Sequence, residues 1–296
     1  MTIRTIGEVL KETYGTRIYK LSLSSGCTCP GRDGTLESPC TFCSQGGSGE
    51  FAASFAPIGE QIEEAKRKVS SKMASIPEAS RRYIAYFQSY TNTYGDIDRL
   101  RALYLETILR PEIVILDIAT RPDCLSDEVL SMLKDLSEIK PVWVELGLQT
   151  ADEETARHIR RGYPNAVFEK AYRDLTALGI PVIVHVILGL PGETKKDCLN
   201  TMAYLSRLTP TPGVKLQLLH VLSGTALEKE YEETHFHVLT LEEYTDLVVS
   251  CIRALPPDTI YHRLTGDGKK SELIAPLWSA DKKRVMNTLR SAIAKA

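Results

Sequence analysis

Four of the seven cysteines crowd into one glycine-rich segment, GCTCPGRDGTLESPCTFCSQGGSGEF, which begins at Gly26. They are Cys27, Cys29, Cys40 and Cys43, whereas Cys124, Cys198 and Cys251 are scattered. An odd cysteine count with one tight cluster favours metal ligation over a disulfide framework. Soft thiolates in a single loop suit iron–sulfur or zinc. Two ligand sets compete. In one, Cys29, Cys40 and Cys43 bind three irons of a [4Fe–4S] cluster, the fourth iron stays open, and Cys27 is a neighbour. In the other, all four thiolates close a tetrahedral zinc site. Closed zinc sites usually pair cysteines about two to four residues apart. Only Cys40 and Cys43 have that spacing, and the single spacer between Cys27 and Cys29 makes joint ligation of one ion awkward.

The loop follows a strand-like run, RIYKLSLSS from Arg17, so it lies where βα folds place their active-site loops. Five further strand-like runs begin at Tyr83, Ile113, Val142, Val182 and Val214. Helical patterns separate them, beginning at Ile58, at Asp96 and after Ser126 as N-cap; a fourth closes on Gly179 and a fifth follows Gly192. Six strands alternating with helices predict an α/β fold with a parallel sheet, either doubly wound or a full or partial barrel. Glu145, Gly147 and Gln149 alternate onto one strand face, and polar groups on a buried face require partners. After residue 222 the alternation stops. Residues 223–296 read as a C-terminal extension of helix, short strand and basic helix, packed on a main domain of residues 1–222.

With 36 basic and 38 acidic side chains among 296 residues, the net charge of −2 excludes a whole-chain electrostatic grip on nucleic acid. No run reaches the ~18 apolar residues of a membrane helix. The N-terminus lacks the apolar core of a signal peptide, so a cytoplasmic location is expected.

Cys29-x₁₀-Cys40-x₂-Cys43, with Phe42 before the last cysteine, resembles the cluster loop of the radical S-adenosylmethionine (SAM) superfamily. Its long first gap is similar to that of the subfamily holding the Elongator catalytic subunit and the bacterial YhcC/YtqA-like proteins. The phrases FQSYTNTYG, IATRPDCL, VELGLQT, ILGLPGET and LTGDGKKSELIAPLWS resemble the latter, over about Tyr14 to Trp278. The resemblance implies an α/β fold, a (β/α)₆ partial TIM barrel with a small C-terminal α+β extension. It implies a [4Fe–4S] cluster on Cys29, Cys40 and Cys43, with SAM on the open iron. Reductive cleavage of SAM then gives a 5′-deoxyadenosyl radical that abstracts hydrogen from substrate, and a flavodoxin- or ferredoxin-type electron donor supplies the electron.

The same resemblance assigns SAM contacts. Phe42 packs near the adenine. Ser89, Thr91 or Asn92, or backbone carbonyls beside them, accept from the SAM amino group where most relatives have a Gly-Gly-Glu turn. Arg121 takes a carboxylate or substrate, or else salt-bridges to Asp123 or a neighbouring acid. Gln149 meets the ribose, and Arg161, or in competition Arg160, grips the SAM carboxylate. His185 meets the ribose, and Gly189 and Gly192 let backbone approach the adenine. His220 points toward the mouth if the strand register holds. From the residues themselves, Thr265-Gly266-Asp267-Gly268 covers the bottom of the site or contacts substrate, and Cys124, Cys198 and Cys251 read as buried thiols.

Three functional readings stay open. One is a tRNA wobble uridine whose carboxymethylaminomethyl side chain becomes aminomethyl. Basic runs for docking tRNA are Lys66-Arg67-Lys68, Arg81-Arg82, Arg157 with Arg160-Arg161, and Lys269-Lys270 with Lys282-Lys283-Arg284. The second class is a small metabolite. The third reading is a zinc-bound, non-enzymatic scaffold.

Overall fold

A strand that is apolar at nearly every position must be covered on both faces. In the computed structural model, which describes residues 1–47, 49, 52–266 and 268–296, the strand-like runs are covered in this way. Ser48, Glu50 and Phe51 of the cysteine loop and Asp267 of the C-terminal turn lie outside the described residues. The strands are β1 (Arg4–Thr5), β2 (Tyr19–Leu23), β3 (Tyr83–Phe87), β4 (Ile113–Thr120), β5 (Val142–Gln149), β6 (Val182–Leu188), β7 (Gly213–Leu218), β8 (Val221–Leu222), β9 (Ile260–Arg263) and β10 (Leu273–Ala275). The helices are α1 (Ile6–Tyr14), α2 (Ile58–Val69), α3 (Ile97–Ile108), α4 (Asp127–Ser137), α5 (Glu153–His158), α6 (Asn165–Ala177), α7 (Lys195–Leu205), α8 (Ala226–Thr234), α9 (Leu241–Ala254) and α10 (Lys282–Lys295).

Eight strands form one parallel sheet in the order β1-β9-β7-β6-β5-β4-β3-β2, and β8 pairs antiparallel with β10. The six strands expected from the sequence, β2 through β7, form one contiguous block that ends at the β2 edge. β9 adds beside β7 and β1 beside β9, so the C-terminal segment builds part of the barrel wall as well as packing outside it. The sheet is strongly curled. Tyr86 Oη on β3 lies 3.1 Å from Lys215 Nζ on β7, although three strands stand between them. In a flat sheet four strand spacings would be about 19 Å. The wall is an open half-barrel, and its concave face is a lumen.

The convex face carries the main core, where α2, α3, α4, α6, α7 and α9 lay apolar stripes over the strands. Local signals start these helices as expected. The Asp96 side chain accepts from Arg99 N and Ser126 Oγ from Val129 N, while Thr194 with Asp197 and Thr240 with Glu243 form capping boxes. The bottom of the lumen is closed by α1, which sets Ile6, Leu10 and Tyr14, one helical face, against Ile84, Ile115 and Trp143.

Leu10 is 6% exposed within that plug. Leu10→Ala is expected to cost about 2–4 kcal/mol of stability, read as a lower urea midpoint at unchanged m-value.

Candidate active site

Halfway up the lumen a layer of polar side chains replaces the apolar filling common in barrels. One comes from each of seven strands: Lys20, Tyr86, Asp117, Glu145, His185, Lys215 and Arg263. Glu145 is its hub. Its Oε1 accepts from Lys20 Nζ at 2.8 Å, and its Oε2 accepts from Tyr86 Oη at 2.7 Å and His185 Nε2 at 2.6 Å. Lys215 Nζ donates to Oε2 and to Tyr86 Oη. Lys20 also donates to Asp117 Oδ2, while Asp117 Oδ1 is buried without a partner. Both lysines stand over the Tyr86 ring, at 4.4 and 4.7 Å.

The charges set one another. Burial alone would raise the Glu145 carboxyl, but Lys20, Lys215 and His185 hold it well below the usual range. Burial and the Glu145 charge push Asp117 up to about 7 against the pull of Lys20. Burial, with repulsion from Lys20 and Arg263, brings Lys215 down to about 7 despite Glu145. Burial and the Lys215 charge bring His185 down to about 4, so its imidazole is neutral at pH 7 and donates Nε2–H to Glu145. Buried ion clusters stabilise folds weakly for their desolvation cost, so this layer points to function.

Above the layer lies a cavity of about 230 Å³, whose walls include Gln88, Thr91, Ala119, Arg121, Gly147, Gln149, Ile187, Gln217 and His220. Its mouth is the cysteine loop. Cys29, Cys40, Cys43 and Phe42 all line it. Backbone bonds tie the loop to the barrel rim: Thr91 N to Thr28 O, Tyr90 N to Gly47 O, and Thr41 N to Ile159 O. At Gly31 a Cβ would stand 2.8 Å from Ser38 O and 2.9 Å from Pro39 Cα, so only glycine lets the loop fold back on itself. Arg32 donates to Cys43 Sγ at 3.3 Å and lies over the Tyr90 ring at 5.5 Å. Burial and the neighbouring Cys43 push the Cys40 thiol up to about 12.

The donor set fits a cluster better than one ion. Among the described residues no three His, Cys, Asp or Glu side chains are arranged to hold a single metal. A [4Fe–4S] cluster takes each thiolate on a different iron. Cys27 turns away from the mouth into the main core, where its sulfur accepts from Arg99 Nη2 at 3.4 Å. The four-cysteine zinc set therefore finds no support in the geometry.

The structure divides the expected SAM contacts. Phe42, Thr91, Arg121, Gln149 and His185 line the cavity. Arg121 does so while bound bidentately to Asp123, at 2.9 and 2.7 Å, and stacked on Tyr163. Gln149 has a left-handed backbone, φ 63°, where the β5–β6 register slips past Leu148, and its Oε1 is buried without a partner.

Ser89, Asn92, Arg161 and Gly189 are not brought to the cavity. Ser89 is covered by Gly49, where a Cβ would lie 1.9 Å from its Oγ. Asn92 is fully buried and spends its amide on scaffolding: Oδ1 accepts from Ser25 Oγ, and Nδ2 donates to Phe87 O and Ala119 O. Arg161 is 1% exposed, with its guanidinium bonded to the carbonyls of Leu148, Thr150 and Tyr163 and to Glu153 and Asn165. It ties β5 to the following turn. Arg160 is exposed in a separate surface groove. Gly189, at φ 87°, faces Leu239. Cys198 and Cys251 are buried, but Cys124 is only half-buried. Among the basic runs, Lys66 is taken up by Glu63 and Glu112, Lys68 by Glu64 and Lys269 by Glu272, which weakens them as RNA-docking faces.

Lys20, Tyr86, Asp117, Lys215 and Arg263 escaped the sequence reading. Their signal was a charged residue inside an apolar strand, in YKLSL, VILDIAT and VKLQL, the pattern already noticed for Glu145.

Comparison with known proteins gives the family and the fold. Residues 23–205 match the family model of the radical SAM superfamily, and residues 211–295 match the radical SAM C-terminal domain. The chain is 36% identical over 291 residues to YtqA of Bacillus subtilis, an uncharacterized protein, covering 98% of this chain and 88% of that one. It is 28% identical over 152 residues to a tRNA uridine(34) acetyltransferase of Dehalococcoides mccartyi, covering 51% of this chain and 32% of that protein. The fold is similar to that of the archaeal Elp3 of Methanocaldococcus infernus, with a TM-score of 0.63 and 18% identity over 79% of this chain and 62% of that one. No helix among the described residues is long and apolar enough to cross a membrane.

Two outcomes follow from the site. After reconstitution, Cys29→Ser, Cys40→Ser and Cys43→Ser should each lose most bound iron, whereas Cys27→Ser keeps it, as measured by iron per chain. His185 has a folded-state pKa near 4, below its unfolded value, so its share of stability is full above about pH 6.5 and lost as pH falls toward 4. Urea unfolding at pH 7 and 4.5 should show a smaller acid loss in His185→Gln than in the parent.

Proposed function

We propose that this chain, which belongs to the radical SAM superfamily, modifies the side chain of a tRNA wobble uridine, converting a carboxymethylaminomethyl group to aminomethyl. The carboxymethyl carbons leave as glyoxylate after their CH2 loses a hydrogen atom and one electron, the latter to a one-electron carrier, and water adds across the resulting C=N bond. The superfamily uses a [4Fe–4S] cluster and SAM. The observation that carries the reading is the stacking, along one axis, of a three-cysteine mouth, a narrow cavity and a charged floor.

Cys29, Cys40 and Cys43 would hold the cluster. SAM held with that cluster would supply the hydrogen-abstracting radical. The protein's own part is to bind, orient and exclude water. Gln149 Oε1, buried and unpartnered, is an acceptor for a ribose hydroxyl. Arg121 spends two of its five N–H groups on Asp123 and keeps others for a carboxylate. Phe42 offers a flat apolar face to an adenine, and Thr91 a hydroxyl to polar groups at the rim. An electron donor of the flavodoxin or ferredoxin type completes the system.

The wobble-uridine assignment draws support from the relative named a tRNA uridine(34) acetyltransferase. A cavity of about 230 Å³ admits a base substituent and not a folded RNA. The base must therefore leave its stack and present its side chain to the lumen, as enzymes acting on bases require.

The test is anaerobic. Reconstituted protein with SAM and dithionite should form 5′-deoxyadenosine, and Cys29→Ala should form none. With tRNA bearing carboxymethylaminomethyluridine, nucleoside mass spectrometry should show aminomethyluridine. 5′-Deoxyadenosine with unchanged nucleoside would overturn the tRNA assignment.

A further inference from the structure

The long gap between Cys29 and Cys40 carries a cation to the third cysteine. A turn begins at Cys29 and is closed by Arg32 N, which donates to Cys29 O at 2.8 Å. Leu36 N donates to Pro30 O at 2.8 Å, and Gly31 passes against Ser38 O and Pro39 of the returning limb. The fold-back sets the Arg32 side chain against Cys43. Its Nη2 donates to Cys43 Sγ at 3.3 Å, to Cys43 O at 3.2 Å and to Ser44 O. Cys43 lines the cavity and Arg32 does not. The guanidinium therefore reaches the thiol without entering the space where SAM and substrate would lie.

Arg32 is held firmly in this place. It lies over the Tyr90 ring at 5.5 Å, and that ring is itself fixed. Tyr90 Oη donates to Gln45 O at 2.6 Å, and Tyr90 N to Gly47 O at 3.0 Å. Half-burial disfavours the Arg32 charge. The groups that favour it most are Cys43, Tyr90 and Cys29, with no carboxylate among them. Its Nε is buried without a partner among the described residues, a donor still to be spent. Structural arginines usually answer an acid, whereas this one answers sulfur.

Reduction adds one negative charge to the group that Cys29, Cys40 and Cys43 hold. A fixed cation with an N–H on a ligating sulfur stabilises that reduced state more than the oxidised one, and hydrogen bonds to sulfur are a recognised lever on iron–sulfur potentials. Arginine stays charged at any working pH, and partial burial weakens solvent screening of its charge. We infer that Arg32 is a positioning residue for the cluster, acting through the Cys43 sulfur to raise the reduction potential and ease entry of the electron from its carrier. The inference rests on Cys29, Cys40 and Cys43 as the cluster ligands and is independent of the substrate.

The test is an anaerobic, mediated redox titration of the full-length, reconstituted chain without SAM, followed by the paramagnetic signal of the reduced cluster. Iron per chain and the visible absorbance are measured first, so that only intact clusters are compared. Arg32→Gln should lower the midpoint, making the reduced-to-oxidised ratio at the parent's midpoint roughly tenfold smaller, about 59 mV for one electron. Arg32→Lys, which keeps the charge without the planar fork, should fall between the two. A midpoint in Arg32→Gln equal to or above the parent's overturns the inference. If Arg32→Gln sheds its iron, Arg32→Lys decides: a lowered midpoint upholds the inference, and the parent's midpoint overturns it. Loss of iron from both variants marks Arg32 as a support of the loop and overturns the tuning role. A parent that binds no cluster removes the ligand reading itself, whereas an intact cluster whose midpoint ignores Arg32 removes this inference alone.

Discussion

A single carboxylate organises this barrel. Glu145 is buried at the centre of the lumen and receives donors from β2, β3, β6 and β7. An ionised carboxylate without partners cannot persist in such a place, since truncating one member of a buried ion cluster costs about 3–5 kcal/mol. Its four donors reach it only if the sheet curls until strands far apart in order face one another. The charged layer and the curvature of the wall thus require each other. The layer also fixes register, because a one-residue slip of any strand would turn its charged side chain into the apolar helix layer.

The axis of the lumen is graded by chemistry. Below the charged layer, α1 closes the bottom with apolar side chains. Above it, walls of mixed polarity lead to three thiols on a loop pinned to the rim by backbone bonds. A reactive species generated at the mouth would find a short path inward and a sealed end. Such an enclosure suits chemistry that must be kept from solvent.

Polar residues around the rim divide by how their hydrogen bonds are spent. Asn92 and Arg161 are at most 1% exposed, and every bond described for them goes to scaffold. Asn92 clamps the ends of β3 and β4 to the start of the cysteine loop. Arg161 gathers the carbonyls after β5, where the backbone passes through the left-handed conformation at Gln149. That conformation is strained for glutamine, and the guanidinium beside it helps hold the turn. Gln149 is the counterpart, a residue lining the cavity whose buried Oε1 no described protein group satisfies.

The sequence by itself determined the six contiguous βα units, most helix starts and the position of the cysteine loop. These are local matters: alternating covered faces, capping side chains and residue spacing act within a few positions along the chain. It also determined membership of the radical SAM superfamily, because the motif blocks occur in order along nearly the whole chain. The tertiary structure alone decided that β1 and β9 extend the wall, since two- and four-residue strands carry too little pattern to declare a partner. It alone separated Gln149 and Arg121, which face the cavity, from Asn92 and Arg161, which do not, because a polar side chain reads the same in sequence whichever partner takes it. The charged layer is the clearest case. Lys20, Asp117 and Lys215 each look like an isolated charge in an apolar strand, and only the curl of the sheet brings Glu145 within reach of the two lysines. Such charges belong together because burial forbids them to stand alone, and that constraint acts in space, across residues far apart in sequence.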